Sequence, residues 1–253
     1  MKYTKTINNN IITFSDYINN KTISITHSGD TNCSDILMID KGFNYDFIDY
    51  VLKELNKSND LKCVISTFYD DKLFKIMEES NYKLLSYEYK INKSLKLMNK
   101  LKYNSTNLLN NNSKNYFLKK INEISSINYE YLYGQPNLSI IDENWFKNDD
   151  YNYLIYENNN EIVGIVDYKV YRNNNESNNT SVFDVSDMVC IRCLFGENKE
   201  IMKMLVRDLI CKFNKSVIIN CQYTNNELKE VIEELNGKLR FVQFLKCDYY
   251  KKI

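Results

Sequence analysis

Polar and apolar positions along this chain follow two periods in a fixed order. From about residue 182 onward, 182–195 alternates as a strand does, and 198–213 carries a helical stripe of Ile201, Leu205, Leu209 and Phe213. A β-branched strand is expected over 216–223 and a short helix over 226–235, ending at Asn236-Gly237. A long last strand then fills 239–250. The predicted order is strand, helix, strand, helix, strand.

The first half carries the same order. Strands are expected at 36–39, 62–69 and 82–91, with helices at 44–55 and 71–79; the first helix puts Phe47, Ile48, Val51, Leu52 and Leu55 on one face. Local words agree as well. Ser34-Asp35-Ile36-Leu37-Met38-Ile39 matches Ser186-Asp187-Met188-Val189-Cys190-Ile191, 152 residues on, and Lys62-Cys63-Val64-Ile65 matches Lys215-Ser216-Val217-Ile218, 153 residues on. Such spacing points to a duplicated α/β unit. Ahead of the shared core, the second half has a helix at 115–127, a segment around 129–145, and a hairpin of 153–157 and 161–171 turning at Asn158-Asn159-Asn160. The first half offers only strands at 10–18 and 21–27. The expected division is therefore a truncated unit over 1–97, a linker over 98–113 and a fuller unit over 114–253.

Composition changes this picture in a few places. Among 253 residues, 33 Lys and Arg balance 33 Asp and Glu, which argues against a chain-wide basic surface and a nucleic-acid partner. Mean hydropathy is −0.49, and no apolar run approaches the ~18–20 residues that cross a bilayer. Met1-Lys2-Tyr3-Thr4-Lys5 leads into Asn8 without the apolar segment of a secretion signal. The expectation is a soluble cytoplasmic protein with no membrane partner. The chain has 21 tyrosines, abundant asparagine, six glycines and no alanine. We attribute this bias to A/T-rich codons, and read the asparagine-rich stretches 110–112 and 173–179 as loops.

Seven cysteines, scattered and odd in number, indicate reduced thiols. Cys190-Ile191-Arg192-Cys193 has the spacing of a metal or redox pair. In a strand, however, its two thiols should face opposite ways. Without a second pair, and with His27 the single histidine, the expectation is no metal and no histidine-based triad. Trp145 is expected in the core or as a helix anchor, and Tyr129 and Tyr131 as partly buried structural tyrosines or acceptor-pocket walls. Arg192 is expected on the face opposite Ile191 and Cys193, reaching a phosphate or one of Asp167 and Asp184.

The order of elements resembles the GCN5-related N-acetyltransferase (GNAT) family. The likeness rests on Tyr153–Glu157 with Glu161-Ile162-Val163-Gly164-Ile165, on the strand opened by Asp187, on the helix after it, and on Asn226 through Gly237. The fold class it implies is α+β, two GNAT-like units with mixed, mostly antiparallel sheets flanked by helices. It further implies acetyl-CoA as co-substrate, lying where the fourth and fifth strands part. Cys190, Ile191, Arg192, Cys193, Leu194 and Phe195 would then meet the pantetheine arm. Gly196, Glu197, Asn198 and Lys199 would meet the pyrophosphate, and Asn226 would sit beside the cofactor. Asp187 is the implied general base. The family's phosphate loop has more glycines than Gly196-Glu197-Asn198-Lys199-Glu200, and Glu233 stands seven residues after Asn226 where the family places a catalytic tyrosine. Two functions follow from the likeness: transfer of an acetyl group to a small-molecule or peptide amine, or a catalytically degenerate module that binds a ligand or a protein. An edge strand in each copy suits a homodimer.

Overall fold

A computed structural model of the protein describes residues 2–26, 35–39, 41–57, 63–94, 104–136, 139–147, 151–171 and 188–246. In chain order the strands are β1 (Tyr3–Asn8), β2 (Ile11–Asp16), β3 (Lys21–Thr26), β4 (Asp35–Ile39), β5 (Cys63–Thr67), β6 (Tyr82–Ile91), β7 (Asn104–Thr106), β8 (Asn152–Asn158), β9 (Glu161–Val170), β10 (Met188–Gly196), β11 (Ser216–Gln222) and β12 (Lys238–Lys246). The helices are α1 (Tyr45–Asn56), α2 (Asp71–Glu79), α3 (Asn111–Tyr133), α4 (Lys199–Phe213) and α5 (Asn226–Glu234), with a 3-10 turn at Glu143–Lys147. The fold is mixed α/β with mostly antiparallel pairing.

Two compact units are present: Met1–Tyr87 with Arg240–Ile253, and Glu88–Leu239. In unit 1, β1–β2–β3 is an antiparallel meander. Beside it β4 runs parallel to β5 through the crossover helix α1, and β12 pairs antiparallel with the other edge of β5. Helix α1 forms where predicted: the Asn44 side chain caps it by accepting from the Phe47 amide, and its five-residue apolar stripe is wholly buried. In unit 2 the antiparallel strands β7, β8, β9 and β10 lie in that order, with β11 parallel to β10 through the crossover helix α4. Helix α4 presses so closely on β9 that a Cβ at Gly164 would stand 2.5 Å from Ile201 Cγ2.

The structure differs from expectation in several places. Within 98–113, expected as a linker, β7 pairs with β8. Asn111 and Asn112 open α3 rather than forming a loop, because Asn110 and Ser113 make a reciprocal capping box. Helix α3 runs on to Tyr133 and stops at Gly134, whose φ is 68°. Strand β1 was not anticipated, and β12 belongs almost wholly to unit 1 although it follows the second crossover. Among the described residues seven asparagines, such as Asn159, Asn160 and Asn236, take positive φ. In a glycine-poor chain they hold the left-handed turn positions.

Candidate active site

Strands β10 and β11 are paired over four residues only, Met188–Ile191 with Ser216–Ile219. Beyond Ile191 the first strand continues to Gly196 and the second to Gln222 with no rung between them. On its other edge β10 stays joined to β9 as far as Gly196 opposite Gly164, with a bulge between Ile191 and Cys193. A bulge bends its strand and increases local twist, which carries the outer part of β10 away from its parallel neighbour. The backbone groups of Arg192–Phe195 that would have met β11 are thereby left for an extended, amide-bearing ligand.

A cavity of about 370 Å³ opens at this parting, within the size range of small-molecule sites. Leu194, Phe195 and Gly196 from β10 and Met202 from α4 form one side. Thr224, Asn225, Asn226 and Glu227 at the start of α5 form another, and Lys120, Glu123, Ile124 and Ile127 of α3 close the third. Phe195 is held from behind by Phe117, ring centroids 5.2 Å apart. Phe195 and Met202 therefore wall the cavity without filling it.

The corner where a phosphate was expected is already bonded and acidic. The Glu197 amide donates to Val163 O at 2.9 Å, the Ile201 amide to Asn198 Oδ1 at 3.1 Å, and the Met202 amide to Asn198 O at 3.3 Å. Lys199 pairs with Glu230, and Lys203 with Glu200 and Glu234. The buried Tyr116 hydroxyl has no hydrogen-bond partner. Burial, and then the charges of Glu197, Glu123 and Glu227, push it up to about 12. Glu123 and Glu227 line the cavity, and Glu197 follows its wall residue Gly196 in the chain.

A second polar cluster lies at the point of the opening. Asp167 is fully buried, and its Oδ2 accepts from Arg192 Nε (2.9 Å), Arg192 Nη2 (2.5 Å) and Trp145 Nε1 (3.1 Å), while Oδ1 has no partner. The guanidinium lies between the Trp145 and Tyr151 rings, 4.0 and 3.8 Å from their centroids. Desolvation raises the Asp167 carboxyl above the usual range, with the Arg192 and Trp145 bonds opposing it. Burial likewise raises the Cys193 thiol.

The residues anticipated from sequence fall as follows. Cys190 and Ile191 are paired on both edges, so the open edge begins at Arg192. Cys193, Leu194, Phe195 and Gly196 lie along it. Glu197, Asn198 and Lys199 form the start of α4, and Asn226 lines the cavity, although the cap of α5 is Asn225. Asp187 lies outside the described residues. Cys190 and Cys193 do not face opposite ways: they stand opposite Lys169 and Asp167, two residues apart on β9, because the bulge inserts an extra residue. Both thiols are free, and no metal-holding cluster of His, Cys, Asp or Glu occurs among the described residues. The bulge also turns Arg192 to Asp167, on the side of Cys193 rather than opposite it. Tyr129 and Tyr131 stack on Tyr133 and Tyr223. The α3 wall was missed, though Lys120, Glu123, Ile124 and Ile127 keep the i, i+3, i+4, i+7 spacing of one helix face.

No family model and no curated protein matches the sequence. Solved structures do match the fold. A GCN5-related N-acetyltransferase from Sphaerobacter thermophilus aligns over 96% of this chain and 82% of its own, with TM-score 0.56 and 7% identity. Another from Kribbella flavida covers 97% and 90% at TM-score 0.49 and 6% identity. A GNAT-family acetyltransferase from Colwellia psychrerythraea covers 93% and 85% at TM-score 0.46 and 12% identity. The Sphaerobacter likeness shows that this chain has the fold of a GCN5-related N-acetyltransferase. Among the described residues no helix is long and apolar enough to cross a membrane.

Proposed function

We propose that unit 2 is an N-acyltransferase that moves an acetyl group from acetyl-CoA to a small-molecule or peptide amine by direct attack. The observation that carries this reading is the parting of β10 and β11 beyond Ile191, with a cavity at its mouth. Acetyl-CoA, when bound, supplies an acyl group activated as a thioester. The open edge at Arg192–Phe195 would pair with the amides of its pantetheine arm, and an N–H there would polarise the acyl carbonyl. Asp187, next to the first residue of β10, would take the proton from the attacking amine as the C–N bond forms; the thioester C–S bond would then break, with coenzyme A leaving as a thiolate that takes a proton from water. Unit 1 is read as the reduced copy, without a site of its own. The reading needs no metal, nucleic acid or membrane, and it suits a cytoplasmic protein.

Two observations favour a second reading, the degenerate binding module. Helix α5 holds Glu233 seven residues after Asn226, and the start of α4 is acidic. Thermal unfolding with acetyl-CoA separates the two. On the transferase reading the melting temperature rises with ligand concentration as RT ln(1 + [L]/Kd), and Asp187→Asn keeps that rise while turnover falls. No rise at millimolar ligand leaves only the binding module. Unchanged turnover in Asp187→Asn removes Asp187 from the chemistry.

A further inference from the structure

The two ends of the site disagree about the donor they were expected to hold. The open edge of β10 suits the donor's amide-bearing arm, while the start of α4 does not suit its phosphates. A helix start binds an anion through free amides and local positive charge. Here two amides at that start are taken, that of Glu197 by Val163 O and that of Ile201 by the Asn198 side chain, so the cradle is narrowed. Charge points the same way. Lys120, Lys199 and Lys203 stand among six glutamates, and each lysine is already in an ion pair: with Glu123, with Glu230, and with Glu200 and Glu234. That leaves Glu197 and Glu227 without an ion pair of their own, Glu227 sharing the field of Lys199, and both act on the Tyr116 hydroxyl. A diphosphate placed there meets repulsion, because the lysines that would offset its loss of water are already paired with glutamates.

We infer that this site reads its donor through the pantetheine arm alone. The donor class is an acyl-pantetheine thioester, to which a nucleotide diphosphate adds no affinity. The inference rests on the acyltransferase reading and narrows it. Screening supplies a signature that a cationic phosphate cradle would not produce: salt weakens attraction between a cradle and phosphate, but here it relieves repulsion.

Titration calorimetry on the full chain tests this with two probes, acetyl-CoA and phosphate-free S-acetylpantetheine, each at low and high salt. The expected dissociation constants agree within about three-fold at moderate salt. Acetyl-CoA should tighten as salt rises while S-acetylpantetheine stays level, since only the former carries charge to screen. The inference is overturned if acetyl-CoA binds about ten-fold or more tightly than S-acetylpantetheine and weakens with salt, as a phosphate-holding site requires. If neither probe binds, the acyltransferase reading falls and this one with it. In the double variant Glu197→Gln/Glu227→Gln, acetyl-CoA should gain about three- to ten-fold over S-acetylpantetheine through lost repulsion. An unmoved ratio overturns the assignment to these carboxylates.

Discussion

Each unit holds a parallel strand pair with a crossover helix, and the two pairs end differently. In unit 2 the pairing of β10 with β11 stops at Ile191 while both strands continue. In unit 1 all five residues of β4 are matched to β5, from Asp35–Cys63 to Ile39–Thr67, and the Thr67 hydroxyl donates to Ile39 O at 3.0 Å. The helix starts differ too. The Tyr45 hydroxyl, at the first residue of α1, donates to Asp70 Oδ2 of the α2 cap at 3.0 Å. Asp16 supplies a carboxylate of the chain itself to Asn44, the α1 cap, at 3.0 Å. Unit 1 satisfies internally the backbone and charge that an open site would leave for a ligand. The same succession of elements thus builds a binding opening or a sealed support, depending on whether the edge of the parallel strand finds a partner along its whole length within the chain.

The largest effect that can sharpen this contrast comes from two buried phenylalanines. Phe47 of α1 and Phe117 of α3 are both fully buried and each packs against several rings. Replacing either with alanine should cost about 3–5 kcal/mol in urea unfolding, from lost transfer energy and the cavity left behind. Only Phe117→Ala should also weaken acetyl-CoA binding, because Phe117 supports Phe195 at the cavity wall. Equal losses of binding in folded samples of the two variants would erase the functional difference between the units.

Much of this fold could be read in the sequence, because burial follows period. Helix α2 and strand β6 form over the expected residues, and the other crossover elements fall close to theirs; residues 182–187 and 247–250 of two expected strands lie outside the described residues. What stayed hidden depends on partners distant along the chain. Strand β7 has only the polar residues Asn104, Ser105 and Thr106, and exists through its pairing with β8. Strand β12 reads as the last strand of the second half, yet its register is set by β5: Val242 opposite Thr67 and Leu245 opposite Val64. At the site, the open stretch of β10 was foreseen, but its first residue was not. That point is fixed by the bulge at Ile191–Cys193, and a bulge leaves no mark on alternation until the partner strand is known. The acidity beside Gly196 was visible in Glu197 and Glu200, whereas the withdrawal of Lys199 and Lys203 into ion pairs needed α5 alongside.

A smaller effect separates the two helix starts. Asn198 accepts one amide bond, from Ile201. Asn44 accepts from Phe47 at 2.7 Å and from the Tyr3 hydroxyl at 3.3 Å, and also donates to Asp16. Chemical denaturation should show Asn198→Ala costing about 1 kcal/mol, typical of a lost cap, and Asn44→Ala about 2 kcal/mol, because further buried groups lose their partner. If the two cost the same, the Asp16–Asn44 link does not hold the sealed corner.

Acid should act on the two units in opposite senses, through the smallest of these effects. Burial of Asp16 raises its carboxyl, but bonds from Asn19, Ile18 and Asn44 outweigh this and hold it below the usual value. A carboxyl lowered on folding contributes stability that is present above its unfolded value, near 4, and is lost as pH falls through the folded one. Asp167 is raised on folding, chiefly by desolvation. Its contribution runs the other way, growing as pH falls through the folded value towards the unfolded one. Native-state hydrogen exchange between about pH 6 and pH 3.5 resolves the two regions. The β2 and α1 amides should lose more protection on acidification than those of β9 and β10. Asp16→Asn should flatten the first response, and Asp167→Asn should remove the advantage of the second. Equal losses in both regions of the unaltered protein would mean that neither carboxylate governs the acid response of its unit.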